Sequence, residues 1–124
     1  FEICVKEAKP LTLMSSYNKI NGVWGHYQYE LVTNILRDEW GYDGLVITDW
    51  WMQSCVDPDF PALRNDAYRV RAQVDVLMPG GTGFGKPEGD GSLLDSCRAE
   101  NGITLGEMQR CAKNVLKLCL RLKM

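Results

Sequence analysis

The sequence is short of most features that would announce a partner. It holds one histidine, 14 basic against 16 acidic side chains and a formal charge of −2, so no field of either sign draws it to nucleic acid or to an anionic membrane surface. No apolar run approaches the ~20 residues of a membrane span. The opening Phe1-Glu2-Ile3-Cys4-Val5-Lys6-Glu7 lacks the apolar stretch of a signal peptide. Phe stands first rather than Met, so the sequence is expected to begin inside a longer protein. No Asn-x-Ser/Thr sequon occurs. The cysteines number five, an odd count without a Cys-x-x-Cys pair, which leaves zinc without a ligand set. Cys97, Cys111 and Cys119 lie among aliphatics and are expected to be buried, reduced packing residues. A reducing, cytoplasmic setting is the corresponding expectation. Neither a metal nor a cofactor is called for.

What is present is a 124-residue chain with 45% hydrophobic residues, the ordinary globular share. Three short apolar runs, 11–14, 45–48 and 74–78, do not alternate cleanly, which predicts strands covered on both faces, as in a parallel sheet. Helical spacing lies between them. Leu31, Val32, Ile35, Leu36 and Trp40 form one stripe over 29–40, with Glu30, Asn34, Arg37 and Asp38 opposite, and Gly41 as its stop. A second helix is expected from about Pro61, with Leu63, Ala67, Val70 and Val74 inward and Arg64, Arg69 and Arg71 outward. Residues 92–99 predict a short helix broken at Asn101-Gly102. The capping box Thr104-x-x-Glu107 then opens a last helix with an inner stripe of Leu105, Met108, Ala112, Val115, Cys119 and Leu122. Lys117, Arg121 and Lys123 suit that helix's C-terminal dipole. Strand and helix recur at a step of about 30 residues, the size of one βα unit. The expectation is an α/β fold with a parallel sheet, whose functional residues collect beyond the strands' carboxyl ends.

Three segments occupy those ends: Ser15-Ser16-Tyr17-Asn18, Asp49-Trp50-Trp51 and Pro79-Gly80-Gly81. Asp49 ends an apolar strand, and two indoles follow it. A carboxylate beside indole faces suits a sugar, since a pyranose packs its apolar face on the ring while the carboxylate attacks or stabilises an oxocarbenium-like centre. The same spacing also suits a structural Asp capping a turn, with the tryptophans as filler. Tyr17, one strand away, either orients a neighbouring carboxylate or leaves its hydroxyl in water. Gly80-Gly81-Thr82-Gly83-Phe84-Gly85-Lys86 imitates a phosphate loop, but Pro87 replaces the Ser/Thr that binds magnesium and no helix starts there. A surface loop is the expectation. His26 is expected to be exposed in its loop. Asp57, Asp59 and Asp66 read as solvated turn and helix-start residues.

Three ordered motifs carry a resemblance. Met14-Ser15-Ser16-Tyr17-Asn18-Lys19-Ile20-Asn21-Gly22, Leu36-Arg37-Asp38-Glu39-Trp40-Gly41-Tyr42-Asp43-Gly44 and Val46-Ile47-Thr48-Asp49-Trp50 resemble the family 3 glycoside hydrolases, the β-glucosidase family. Val74-Asp75-Val76-Leu77-Met78-Pro79-Gly80 looks like that family's next strand and turn, and Asn101-Gly102-Ile103-Thr104 like the end of its barrel domain. The resemblance implies a (β/α)8-like TIM barrel, which takes about 250 residues. Residues 1–124 would then be its C-terminal part, incomplete in this chain: about three βα units, a Gly-rich loop at 80–91 and closing helices over 92–122. It implies retaining hydrolysis of terminal β-linked sugars, with Asp49 as nucleophile, Tyr17 supporting it, Trp50 walling the sugar site and Met14 nearby. The partners implied are a β-glucoside or related oligosaccharide and the rest of the parent polypeptide. Thr48 replaces the commoner Ser, and Gln73 stands where many relatives carry Gly. The Lys-His sugar-gripping segment and the acid/base Glu of the family lie outside this chain, and nothing in the pattern puts Glu88 or Asp90 in their place. The isolated chain is therefore expected to be inactive. Rival readings are a carbohydrate-binding remnant without catalysis and a phosphate-binding α/β module built on the Gly80–Lys86 loop.

Overall fold

A computed structural model of the chain describes residues 1–50, 65–78 and 92–123. Three strands, β1 (Thr12–Met14), β4 (Leu45–Trp50) and β5 (Val76–Met78), form a sheet in the order β1-β4-β5, and both pairings are parallel. The α/β reading with parallel strands is therefore what the structure shows. Between β1 and β4 come a hairpin of β2 (Lys19–Ile20) and β3 (Val23–Trp24), a 3₁₀ turn at Gly25–Tyr27 and a helix at Glu30–Glu39. Helix α1 (Asn65–Arg71) precedes β5, and α2 (Ser92–Arg98) and α3 (Leu105–Leu122) follow it. The Gly-rich segment, Cys55 and Asp57 to Pro61 lie outside the described residues.

Local chemistry explains the element ends. Asn21 and Gly22 both have positive φ, +51° and +86°, the conformation a two-residue hairpin turn of type I′ demands. Gln28 joins this hairpin to the next helix: its side chain donates to the Ile20 carbonyl at 3.0 Å and accepts the Leu31 N–H at 3.0 Å. The Glu30–Glu39 helix is wide, of π type, and its last turn closes from the Trp40 N–H to the Ile35 carbonyl at 2.9 Å. Gly41, at φ +71°, ends it as expected. At α3 both halves of the capping box are made, Thr104 accepting from the Glu107 N–H and Glu107 from the Thr104 N–H. Gln73 turns the chain into β5 at φ +66°, a left-handed conformation that glycine adopts without cost.

Apolar side chains gather in two clusters. One holds Val5, Val32, Tyr42, Val46 and Val74, between the sheet and the Glu30–Glu39 helix. The other holds Tyr27, Ala67, Tyr68, Val70, Ile103 and Cys111. Several side chains depart from the periodicity. Arg37 points inward and donates to the carbonyls of Gly44 and Gln73 and to Asp75. Arg69 is buried, donating to the Val74 carbonyl at 2.7 Å, and Arg71 binds Glu107 and the Gly102 carbonyl. All three were expected outside. They are drawn in because the chain turns between the helices and β5 leave carbonyls that only long donors reach. On α3, Cys111 and Asn114 are buried while Leu105, Ala112 and Leu122 are exposed. The helix is turned to bring Asn114 to Asp75 and Glu107 to Arg71, so polar contacts override the apolar stripe. Lys117 and Arg121 reach Asp43 at 3.8 and 2.8 Å. Cys97 is exposed rather than buried, as is Cys4.

Candidate active site

The sheet brings the ends of β1 and β4, which carry Met14 and Asp49, to its carboxyl end. Parallel register sets Thr12 beside Leu45, Leu13 beside Val46 and Met14 beside Ile47. Met14 thus ends β1 two residues short of the level of Asp49, and Tyr17 follows in the chain leaving that end. Asp49 and Trp50 close β4. Asp49 is half-buried and its Oδ1 accepts the Trp50 N–H at 2.7 Å. Trp50 is 44% exposed, Tyr17 41% and Met14 58%, so an indole, a phenol and a thioether are open to solvent on the segments that end β1 and β4.

Tyr17 is held by its ring. It meets Trp24 edge-on, with centroids 6.5 Å apart and planes at 82°, the geometry that aromatic quadrupoles favour. Trp24 in turn lies 6.1 Å from His26, His26 4.1 Å from Tyr27, and Tyr27 5.3 Å from Tyr68. A row of rings thus runs from partly exposed Tyr17 into the core. His26, expected to be exposed, is 1% exposed inside that row. The hairpin and the 3₁₀ turn fold it under Trp24, which loop polarity alone did not indicate.

A buried ionic cluster holds β4 at Val46, three residues before Asp49. The Asp75 carboxylate accepts from Arg37 Nη2 at 2.8 Å, from the Val46 N–H at 2.9 Å and from Asn114 Nδ2 at 2.9 Å. The Asp75 and Arg37 side chains are 0% and 7% exposed. Asp75 N–H also donates to the Val46 carbonyl at 2.7 Å. Three donors on one carboxylate supply what water would, which is how a charge survives burial. The cluster ties β4 to β5, to the Glu30–Glu39 helix and to α3, so the strand bearing Asp49 has one place to lie. Sequence reading singled out none of these partners, although an Asp inside an apolar strand run was the available signal.

Two hydroxyls and a thiol show how burial acts nearby. Burial pushes the Tyr42 phenol up to about 12, against the weaker opposing pull of Arg37, and its hydroxyl donates to the Leu45 carbonyl at 3.0 Å. Burial likewise raises the Cys111 thiol to about 11, with the Asp75 charge adding to it. The third group, the Thr48 hydroxyl, is wholly buried and accepts the Met78 N–H at 2.8 Å. Among the described residues no three His, Cys, Asp or Glu side chains gather as a metal site would require. One half-buried carboxylate framed by aromatic surface can act as a nucleophile or electrostatic stabiliser toward a sugar, and a retaining reaction needs a second carboxyl about 5–5.5 Å away.

Residues 1–86 match the model of the Glycosyl hydrolase family 3 N terminal domain. The chain is 37% identical over 120 residues to a β-glucosidase of Ruminococcus albus, covering 97% of this chain and 12% of that protein. It is 56% identical over 50 residues to an exo-α-(1→6)-L-arabinopyranosidase of Bifidobacterium longum, covering 40% of this chain and 7% of that one. The fold superposes on the crystal structure of a β-glucosidase from Paenibacillus barengoltzii with a TM-score of 0.80 at 38% identity, over 96% of this chain and 13% of that chain. The chain therefore spans about an eighth of the length of the relatives it matches end to end.

Proposed function

The chain belongs to glycosyl hydrolase family 3, and on that footing we propose that it is the nucleophile-bearing, C-terminal part of a (β/α)8-like barrel in a retaining glycosidase. Residues 1–124 supply about three βα units and the closing helices, and the remainder of a longer polypeptide supplies the other strands, the sugar-gripping segment and the acid/base. The substrate class is a terminal β-linked sugar, a β-glucoside or related oligosaccharide. Two relatives carry different sugar names, a β-glucosidase and an exo-α-(1→6)-L-arabinopyranosidase, and residues of the remaining polypeptide share in setting the sugar and the aglycone.

The observation that supports this reading best is Asp49, half-buried at the carboxyl end of the central strand beside exposed Trp50. Its carboxylate attacks the anomeric carbon, the glycosidic oxygen leaves with a proton from the acid/base, and a glycosyl ester forms on Asp49. Water, deprotonated by the same acid/base, then cleaves that ester and restores the carboxylate. Trp50 gives the pyranose an apolar face to lie on. Tyr17, anchored by Trp24, supports the carboxylate, and Met14 borders the sugar.

A 2-deoxy-2-fluoro glycoside tests the assignment, because the fluorine slows hydrolysis of the ester enough to isolate it. In the full-length polypeptide, peptide mass spectrometry is expected to find the label on Asp49, and Asp49→Asn to abolish labelling. A label on another carboxylate overturns the site. The isolated 124-residue chain is expected to show no turnover of an aryl β-glucoside, and measurable turnover would overturn the claim that the rest of the site lies elsewhere.

A further inference from the structure

The β4–β5 ladder slips just where Asp49 stands. Ile47 pairs with Val76 and Trp50 with Met78, so three steps along β4 answer two along β5. The extra residue falls within Thr48-Asp49. A bulge of this kind is uncommon between parallel strands, and it re-aims the side chains on the bulged strand. It also takes a backbone acceptor out of register with the N–H opposite. Here the Met78 N–H, half-buried, finds the Thr48 side-chain oxygen at 2.8 Å. Thr48 itself is 0% exposed, so its hydroxyl is committed to the sheet and does not face solvent. On the other side of β4 the pairing is regular: Ser15 N–H donates to the Ile47 carbonyl at 2.8 Å. Regular pairing therefore runs up to Ile47 on both flanks, and the departure starts at Thr48.

We propose that Thr48 is a positioning residue for Asp49: its hydroxyl stands in for the missing ladder acceptor, holds the one-residue bulge open and so fixes the angle at which the carboxylate leaves the sheet. This rests on the reading of Asp49 as nucleophile and adds to it the group that aims it. The role needs an acceptor on a short side chain at this spot. Serine meets that requirement, whereas valine has threonine's shape without the oxygen and leaves the Met78 N–H unpaired.

The test uses Thr48→Val and Thr48→Ser in the full-length polypeptide, with three readouts: the fraction of sites titrated by a 2-deoxy-2-fluoro glycoside, the trapping rate per titrated site, and exchange of the Met78 amide. Displacements near 1 Å at a reacting group cost on the order of 100-fold, so Thr48→Val is expected to slow trapping per site by about 10- to 100-fold and to deprotect the Met78 amide. Thr48→Ser is expected to restore most of the rate and the protection. A merely structural role would lower the titrated fraction and the melting temperature and leave the per-site rate unchanged. Where Thr48→Val does not fold, Thr48→Ala removes the oxygen with less crowding and carries the same expectation. An unchanged per-site rate in the hydroxyl-free variant, or a Ser variant as slow as the Val one, overturns the proposal. In either case, if the unsubstituted protein still labels at Asp49, the nucleophile reading stands. Failure of that labelling removes both.

Discussion

At the level of single residues, buried polarity governs what a substitution does. Asp75 is the clearest case, since Arg37 would be left buried and unpaired without it. Asp75→Ala is expected to destabilise the folded protein by ~3–5 kcal/mol, read as a shift of the urea midpoint in the full-length polypeptide. Cysteine reactivity should divide on the same basis. Cys111 is buried with its thiol pushed up to about 11, whereas Cys4 and Cys97 are exposed. Iodoacetamide at neutral pH, followed by peptide mapping, is expected to modify Cys4 and Cys97 and to spare Cys111 until denaturant is added. Sequence made Asp49 legible as a candidate because its position after an apolar strand is a local fact. It hid Arg37, which meets Asp75, 38 positions away, and His26, which the hairpin and the 3₁₀ turn pack between Trp24 and Tyr27. It gave no hint of what Thr48 does, because a register slip is a property of two strands.

At the level of elements, helix α3 offers the sharpest tests. Thr104→Ala removes one half of the capping box and is expected to cost ~1 kcal/mol, measurable by denaturant titration. Glu107 is the other half. Burial works to raise its pKa, but hydrogen bonds from the Thr104 backbone, Arg71 and the Thr104 hydroxyl outweigh it and hold the carboxyl below its ordinary 4.5. A lowered folded pKa means that the unfolded chain takes up the proton first as acid is added. The stabilisation is therefore full above 4.5 and is lost as pH falls below it, through the folded value. Melting temperature plotted against pH is expected to fall less steeply on the acid side in Glu107→Gln. Strands β1, β4 and β5 were legible because short apolar runs bounded by turns are a local signal. The β2–β3 hairpin was passed over although Asn21-Gly22 is its usual signature, as each strand is only two residues long. The phase of α3 was misjudged because apolar spacing cannot weigh the pull of Asp75 on Asn114.

At the level of the whole molecule, several large apolar side chains face solvent among the described residues. Leu105, Leu116 and Leu120 are 69%, 62% and 77% exposed along α3. β1 and β5 each pair on one side within the described sheet. An apolar groove of about 320 Å³ opens beside Leu13, Met14 and Val46. Open strand edges and apolar patches of this kind favour self-association. The isolated chain is expected to bind an environment-sensitive dye such as ANS and to elute above its 14.0 kDa mass on size exclusion. A monodisperse, dye-silent monomer would contradict this. The Asp75 cluster has, in addition, a temporal side. Its partners Arg37, Val46 and Asn114 lie 38, 29 and 39 positions away, so none reaches it by local coiling. Until strand, helix and α3 arrive together, the carboxylate keeps its water and the helices form without being fastened. Folding is therefore expected to include a closing event whose rate is set by long loop closures, and stopped-flow refolding of a variant with a faster-forming α3 is expected to show an unchanged rate.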